Sequence, residues 1–201
     1  MNRFLIVLPT LCFAFLVLIY SLYSASALEY KFDLPIVAQG QPTPLPAQLP
    51  SPPKLLPDNP FWFAKAMQDR THILITLNPL EKAEVLASIS NQRLVAAKVL
   101  FENGNAEDGM ATLAKAEKYL QAAAAEEKRA RQGGAITTGF LQKLLHTAYM
   151  HQQAIDSILH YCPEDACPLI VQTANTPKLL FEEIKITLTS AGNEILSINK
   201  I

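Results

Sequence analysis

Two of the three cysteines stand in the stretch HYCPEDACP, residues 160–168, whose residue types and spacing could do chemistry. A histidine lies two positions before Cys162, and a proline follows each cysteine. Thiolate and imidazole groups bind zinc, low-pKa thiols exchange with disulfides, and two oxidised cysteines close a covalent loop. The stretch could therefore be a metal site, a redox pair or a disulfide.

Helical geometry disfavours a zinc site. On the predicted fourth helix His146 and His160 share a face, but they lie roughly 21 Å apart along its axis. His151 falls on the apolar stripe of that helix, where a hydrogen-bonded core histidine is the commoner outcome. His160, Cys162 and Cys167 could meet only if the loop bends back, and they would still lack a fourth ligand.

A disulfide explains the cysteine pair better than redox catalysis does. Thioredoxin-like chemistry uses cysteines two residues apart at a helix start after a strand, whereas here four residues intervene and no strand is predicted. On one continuous helix the two thiols would point about 140° apart and could not bond. Pro163 and Pro168 prevent that continuity, because each disfavours helical geometry in the preceding residue. We therefore predict a Cys162–Cys167 disulfide at a corner between two helices.

Other signatures of catalysis are missing from the sequence, which has no phosphate-binding glycine loop, no HExxH pair and no nucleophile elbow. The formal charge of −1, with few runs of one sign, gives no electrostatic footprint for nucleic acid or for an anionic membrane surface. We predict a non-enzyme with no catalytic residue, no metal, no cofactor and no nucleic-acid partner.

Residues 1–27 are typical of an export signal. Arg3 is followed by an uncharged apolar stretch, and small residues precede a candidate cleavage site after Ala27. The stretch is also near the roughly 20 residues that span a bilayer, so an uncleaved membrane anchor is the alternative. Cys12 lies inside it, after a leucine, and is not interpreted as a lipoprotein acylation site. Either outcome places the rest of the chain on an oxidising, extracytoplasmic side, where thiols pair.

The segment after the signal, residues 28–58, is predicted to be an extended linker. Nine of the fourteen prolines fall between residues 35 and 60. Proline at this density forbids helix interiors and favours polyproline conformations, which make a semi-rigid spacer. A proline-rich docking ligand is the alternative interpretation.

Residues 59–201 are predicted to form an all-α domain. Asn–Pro and Thr–Pro pairs supply helix starts, glycines supply stops, and apolar residues recur at spacings of three and four. Short connections between helices of about twenty residues make neighbours antiparallel, which gives an up-and-down bundle of four to five helices. The predicted helices run over residues 60–77, 79–103, 105–133, 136–161 and 177–199.

One stripe on each of the later helices is predicted to be buried. The stripe of the third predicted helix is rich in small residues, which lets two helix backbones approach closely. In chain order the stripes are Ala83, Leu86, Ser90, Leu94, Ala97 and Phe101; Gly109, Leu113, Ala116, Leu120 and Ala123; Leu144, Ala148, His151, Ile155, Ile158 and Cys162; and Leu180, Ile184, Leu188, Ala191, Ile195 and Ile198.

The stretches PDNPFWFAKAMQDR, LNPLEKAEVL and NQRLVAAKVLFENG resemble a bacterial family of exported or membrane-anchored helical domains of unknown function. The resemblance covers roughly residues 57–120 and implies fold and location; the family brings no catalytic residue. Ala96 departs from the pattern, which has an acidic residue there that could pair with an arginine. Asp69 and Arg70 are interpreted as surface or half-buried partners of a neighbouring helix, and Lys65 as an ion-pair partner of Asp69 one turn away.

The aromatic residues Phe61, Trp62 and Phe63 are predicted to be core.

Two functions are compatible with the residues described so far. The first is a non-enzymatic module, exported or membrane-tethered through residues 1–27, that binds a protein or supports the cell envelope. The second is a small metal- or thiol-dependent enzyme or sensor centred on His160, Cys162 and Cys167.

Overall fold

The computed structural model describes residue 53 and residues 55–198, with side chains described up to residue 190. The signal or anchor of residues 1–27, the cleavage site at Ala27, Cys12 and most of the linker lie outside the described residues. All regular structure in the described part is helical, which confirms the all-α prediction. The helices are α1 (Trp62–Ile75), α2 (Pro79–Glu102), α3 (Ala106–Gln132), α4 (Thr138–Ile158), α5 (Cys167–Thr173) and α6 (Asn175–Ile198).

Capping residues fix the ends of α2 and α3 where the sequence predicts them. The Asn78 side chain accepts a hydrogen bond from the Leu80 amide at the start of α2. Asn105 does the same for the Asp108 amide in α3. Gly104 has a φ of 81°, a left-handed conformation in which glycine avoids the steric cost of a side chain. The end of α2, just before Gly104, is therefore determined by neighbouring residues in the sequence.

Several predicted helix boundaries differ from the structure: α1 ends at Ile75 rather than at residue 77, and α4 runs over Thr138–Ile158 rather than over residues 136–161. Helix α1 begins at Trp62 rather than Pro60, because the Asn59 side chain accepts from the Phe61 amide and holds a turn before the helix. The segment after Cys167, which no predicted helix covers, forms the short helix α5. Helix α6 starts at Asn175, so that Pro177 lies inside its first turn, where an amide hydrogen is not needed.

Helices α2 and α3 form an antiparallel hairpin. Their contacts run in opposite directions: Lys82 pairs with Glu126 at one end, and Phe101 packs on Gly109 at the other. A Cβ at Gly109 would lie 2.9 Å from the Phe101 ring, so the absence of a side chain permits this approach. The small-residue stripe of α3 acts as predicted, because the two backbones are close along their length.

Helices α4 and α6 complete the bundle, with α1 packed on α2 and the short α5 near α3 and α6. All predicted stripe positions on α2 and α3 are buried, as are those of α4 up to Ile158. On α6, Leu180 and Ile184 are buried and Leu188 is partly buried, whereas the predicted positions after residue 190 lie outside the described side chains.

The apolar core consists of two clusters separated along the bundle. One contains Leu86, Leu120, Leu144 and Ile184, and the other contains Leu94, Leu113, Ile155 and Ile170, among others. Between them, each of α2, α3 and α4 contributes polar side chains. The core is therefore interrupted at mid-height by a polar layer.

None of the described helices combines the length and the apolar character needed to cross a bilayer.

Candidate functional site

The polar layer at the centre of the bundle brings together Ser90 and Asn91 from α2, Glu117 from α3 and His151 from α4. All four side chains are buried, and Ser90 and His151 have no solvent exposure. Their positions follow from the buried faces of three helices, each of which turns one or two polar residues inward between leucine and alanine neighbours. A buried acid beside a buried base is the strongest concentration of polar chemistry in the described chain.

Histidine 151 is the hub of this layer. Its Nδ1 lies 2.6 Å from Glu117 Oε1, so Nδ1 carries the proton that it donates to the carboxylate. Its Nε2 lies 3.2 Å from Asn91 Oδ1 and 3.4 Å from Ser90 Oγ. The Ser90 hydroxyl donates to the carbonyl of Ala116, at 2.8 Å. One imidazole thereby connects three helices by hydrogen bonds.

A serine, a histidine and an acid in this order are the parts of a hydrolytic triad, but their geometry differs from a working one. The Ser90 hydroxyl donates its hydrogen to a backbone carbonyl, and the base must instead receive it in catalysis. The hydroxyl is also fully buried, so no substrate carbonyl can reach it without an opening of the bundle. The arrangement is better suited to joining helices than to nucleophilic attack.

Sequence reasoning found part of this layer. It placed His151 on a buried stripe as a hydrogen-bonded core histidine, and that prediction is confirmed. It also placed Ser90 on a buried stripe, but it missed Asn91 and Glu117. The signal for Glu117 was its spacing, because it lies four residues after Leu113 and three before Leu120 on the buried face.

A second buried charge, Arg93 of α2, holds α1 against the bundle. Its guanidinium carbon lies 5.3 Å from the Trp62 ring centroid and 5.2 Å from that of Tyr119, so the cation is placed between two aromatic faces. Its Nη2 is 3.4 Å from Asp69 Oδ2, and Lys65 Nζ is 2.6 Å from Asp69 Oδ1. We call these five residues the Arg93 latch.

The Arg93 latch corrects and confirms parts of the sequence interpretation. The Lys65–Asp69 ion pair is confirmed, and Asp69 does pair with a neighbouring helix, although it is buried rather than at the surface. Arg70 is exposed and is not part of the latch. The carboxylate that Arg93 contacts comes from Asp69 of α1.

The outer face of α1 is apolar with a positive centre. Phe63, Met67, Arg70 and Leu74 follow at spacings of four, three and four, so they lie on one face of the helix, and all are exposed. We call these four residues the α1 strip. Phe63 is 70% exposed, which makes the prediction of a core position wrong for it, and Phe61 before the helix is 72% exposed. Only Trp62 of the three aromatics turns inward.

The cysteine loop forms a corner between α4 and α5. The Cα atoms of Cys162 and Cys167 lie 5.7 Å apart and their sulfur atoms are within disulfide-bonding distance, as the prediction of a pair requires. Glu164 and Asp165 form the turn between them. The side chain of Ile170 in α5 is fully buried in the core, so the corner sets the position of a helix that the core needs.

We expect Cys162 and Cys167 to resist alkylation in the folded chain until a reductant is added, since the pair is predicted to be oxidised outside the cytoplasm. Reduction should then lower the free energy of unfolding by about 2 kcal/mol, because the closed loop is short. Intact mass before and after reduction measures the first effect, and thermal unfolding with and without reductant measures the second. Alkylation of either cysteine without reductant would contradict the prediction.

The remaining histidines form no metal-binding group with the cysteines among the described residues. His160 is exposed, with its Nδ1 3.1 Å from the Asp156 carbonyl, and His146 lies nearly four turns earlier on α4. Within residues 53 and 55–198, no three or more histidine, cysteine or acidic side chains are grouped so that they could hold a metal ion. The structure does not join His160, Cys162 and Cys167 into one site.

Comparison with known proteins gives one match. A family model described as Domain of unknown function (DUF5667) matches residues 54–165, which is more than half of the 201 residues. No curated protein and no solved structure matches the chain. The match confirms the prediction of a family of uncharacterised domains over residues 57–120, and extends it through α4 to the cysteine loop.

Proposed function

The chain belongs to this DUF5667 family of domains of unknown function, and with that premise we propose that it is a non-enzymatic helical docking module outside the cytoplasm. It is exported or membrane-tethered through residues 1–27, and it attaches to another component of the cell envelope by the α1 strip. Docking uses the surface of the bundle rather than its interior. The buried polar layer then serves to hold the helices that carry this surface.

The observation that carries the proposal is the concentration of exposed apolar side chains around α1. Six of the thirteen large hydrophobic residues that are exposed in the described chain fall within residues 61–77. Soluble domains rarely leave contiguous apolar surface uncovered unless it binds something. The six are Phe61, Phe63, Met67, Leu74, Ile75 and Leu77.

Helix α1 is also held firmly enough to present such a surface. Its inner face is attached through Asp69 and Trp62, which contact the buried Arg93 of α2. The opposite face is then free to meet a partner while the latch stays closed. The sequence-predicted export segment and proline-rich spacer support a location where the module stands away from its point of attachment.

A photo-crosslinking amino acid at position 67 tests this function in intact cells of the host. The matched control carries the same amino acid at position 179 on α6, where Leu179 is exposed to a similar extent as the residues of the α1 strip. We expect ultraviolet light to produce adducts with an envelope component, protein or lipid, from position 67 and not from position 179. Equal yields at both positions, or none at either, would overturn the proposal.

A further inference from the structure

We propose that the partner of the α1 strip is the surface of a lipid bilayer that carries anionic headgroups. This inference rests on the proposed function, because it assumes that the strip is the docking surface and then identifies its occupant. Amphipathic helices that lie in a membrane interface combine aromatic and aliphatic side chains with basic ones. The α1 strip has Phe63, Met67 and Leu74 around Arg70.

Charge on the outer face of α1 has one sign. The only acidic residue of the helix is Asp69, and its carboxylate is buried between Lys65 and Arg93. Arg70 is exposed on the strip, and none of the four strip residues is acidic. The formal charge of the whole chain, −1, does not show this local arrangement. A surface of phosphates complements the strip, since arginine binds phosphate oxygens with several donors.

The same arginine argues against a second copy of the chain as occupant. Arg70 lies close to the middle of α1, which runs over fourteen residues from Trp62 to Ile75. An interface with twofold symmetry that is centred on this strip would bring the two Arg70 guanidinium groups together in a partly desolvated contact. Like charges juxtaposed in an interface cost affinity. An anionic lipid surface attracts Arg70 instead of repelling it.

The geometry of α1 allows it to lie flat on a bilayer without leaving the bundle. A helix of fourteen residues is about 21 Å long, and its apolar strip follows the axis along nearly the whole length. The residues that attach α1 to α2, including Trp62 and Asp69, are on the other face. Arginine can bury its aliphatic stem and keep its charge at the phosphates while the neighbouring side chains insert.

The only tryptophan of the chain gives a direct test. The variant Trp62→Phe with Phe63→Trp keeps an aromatic ring on Arg93 and places the single tryptophan on the strip. The control, Trp62→Phe with Leu179→Trp, places it on an exposed site of α6. Both full-length chains are reconstituted in vesicles of neutral lipid alone and in vesicles with added anionic lipid, each with acyl chains brominated near the headgroup.

We expect bromine to quench the tryptophan at position 63 and not the one at position 179, with greater loss of fluorescence in anionic than in neutral vesicles. Arg70→Glu, added to the position-63 reporter, should reverse the lipid preference, and salt should weaken it in the original reporter. Equal quenching at both positions, or no effect of lipid charge, would overturn the inference. Absence of quenching together with protein adducts from position 67 would refute the lipid occupant while leaving the docking function in place.

Discussion

Replacement of His151 by alanine is expected to lower the free energy of unfolding by about 3–5 kcal/mol. The imidazole is the only hydrogen-bond partner of Glu117 Oε1 in the described chain, and Glu117 Oε2 has none there. Without His151, the buried Glu117 side chain would lose its only hydrogen-bond partner in the described chain, and a cavity would remain beside it. Urea denaturation followed by far-ultraviolet circular dichroism measures the change.

Two variants separate this cause from the loss of packing. His146→Ala removes a half-buried histidine five residues earlier on the same helix and should cost less than about 1 kcal/mol. His151→Leu with Glu117→Met removes both members of the buried pair and should be more stable than His151→Leu alone, because no carboxylate is left unpaired. A loss below about 1 kcal/mol for His151→Ala, or a double variant less stable than the single one, would show that the pair does not matter.

Replacement of Arg93 by methionine is expected to release α1 from the bundle while the other helices stay folded. The variant loses the two contacts that Arg93 makes with α1, the cation–π contact with Trp62 and the charged hydrogen bond with Asp69, which together contribute about 2–4 kcal/mol. Amide hydrogen exchange should become much faster in α1 than in α2 and α3, and Trp62 fluorescence should shift to longer wavelength as its ring becomes solvated.

The matched control is Arg70→Met, which removes an exposed arginine from α1 itself. It should leave the hydrogen exchange of α1 and the Trp62 emission unchanged. Arg93→Lys keeps the charge but not the flat guanidinium that faces the two rings, so its effect should be intermediate. If Arg93→Met leaves α1 as protected as in the original chain, the latch is not what holds this helix.

The fold could be predicted from the sequence where local signals and burial agree. Asn78, Asn105 and Gly104 give helix ends that depend only on neighbouring residues, and these ends are where they are predicted. The stripe positions of α2 and α3 are buried because a spacing of three and four selects one face whatever the partner is. Helical periodicity is thus enough to identify the inner face of each long helix.

The site could be predicted only in part, because its contacts join residues far apart in the chain. His151 and Glu117 are thirty-four positions apart, and Arg93 and Asp69 are twenty-four apart. A single sequence shows that each of these residues lies on a helix. It does not show which helices are neighbours or at which level of the bundle each residue lies. Phe61 and Phe63 mislead for another reason: aromatic residues are usually buried, and here they face outward around a surface that we propose binds lipid.

The polar layer also has a consequence for how the chain finds its native register. Around Ala97 and Ala116 the facing surfaces of α2 and α3 carry small side chains, so the native pairing differs from one slipped by a turn, about 5.4 Å, mainly through the contact of Phe101 with Gly109 and through the polar layer. A one-turn slip of α2 would move Ser90 and Asn91 away from His151, and a slip of α3 would move Glu117 away from it, so buried polar groups would lose their partners. The four polar side chains thereby penalise misaligned bundles more than they stabilise the correct one, as a single buried asparagine does in a coiled coil.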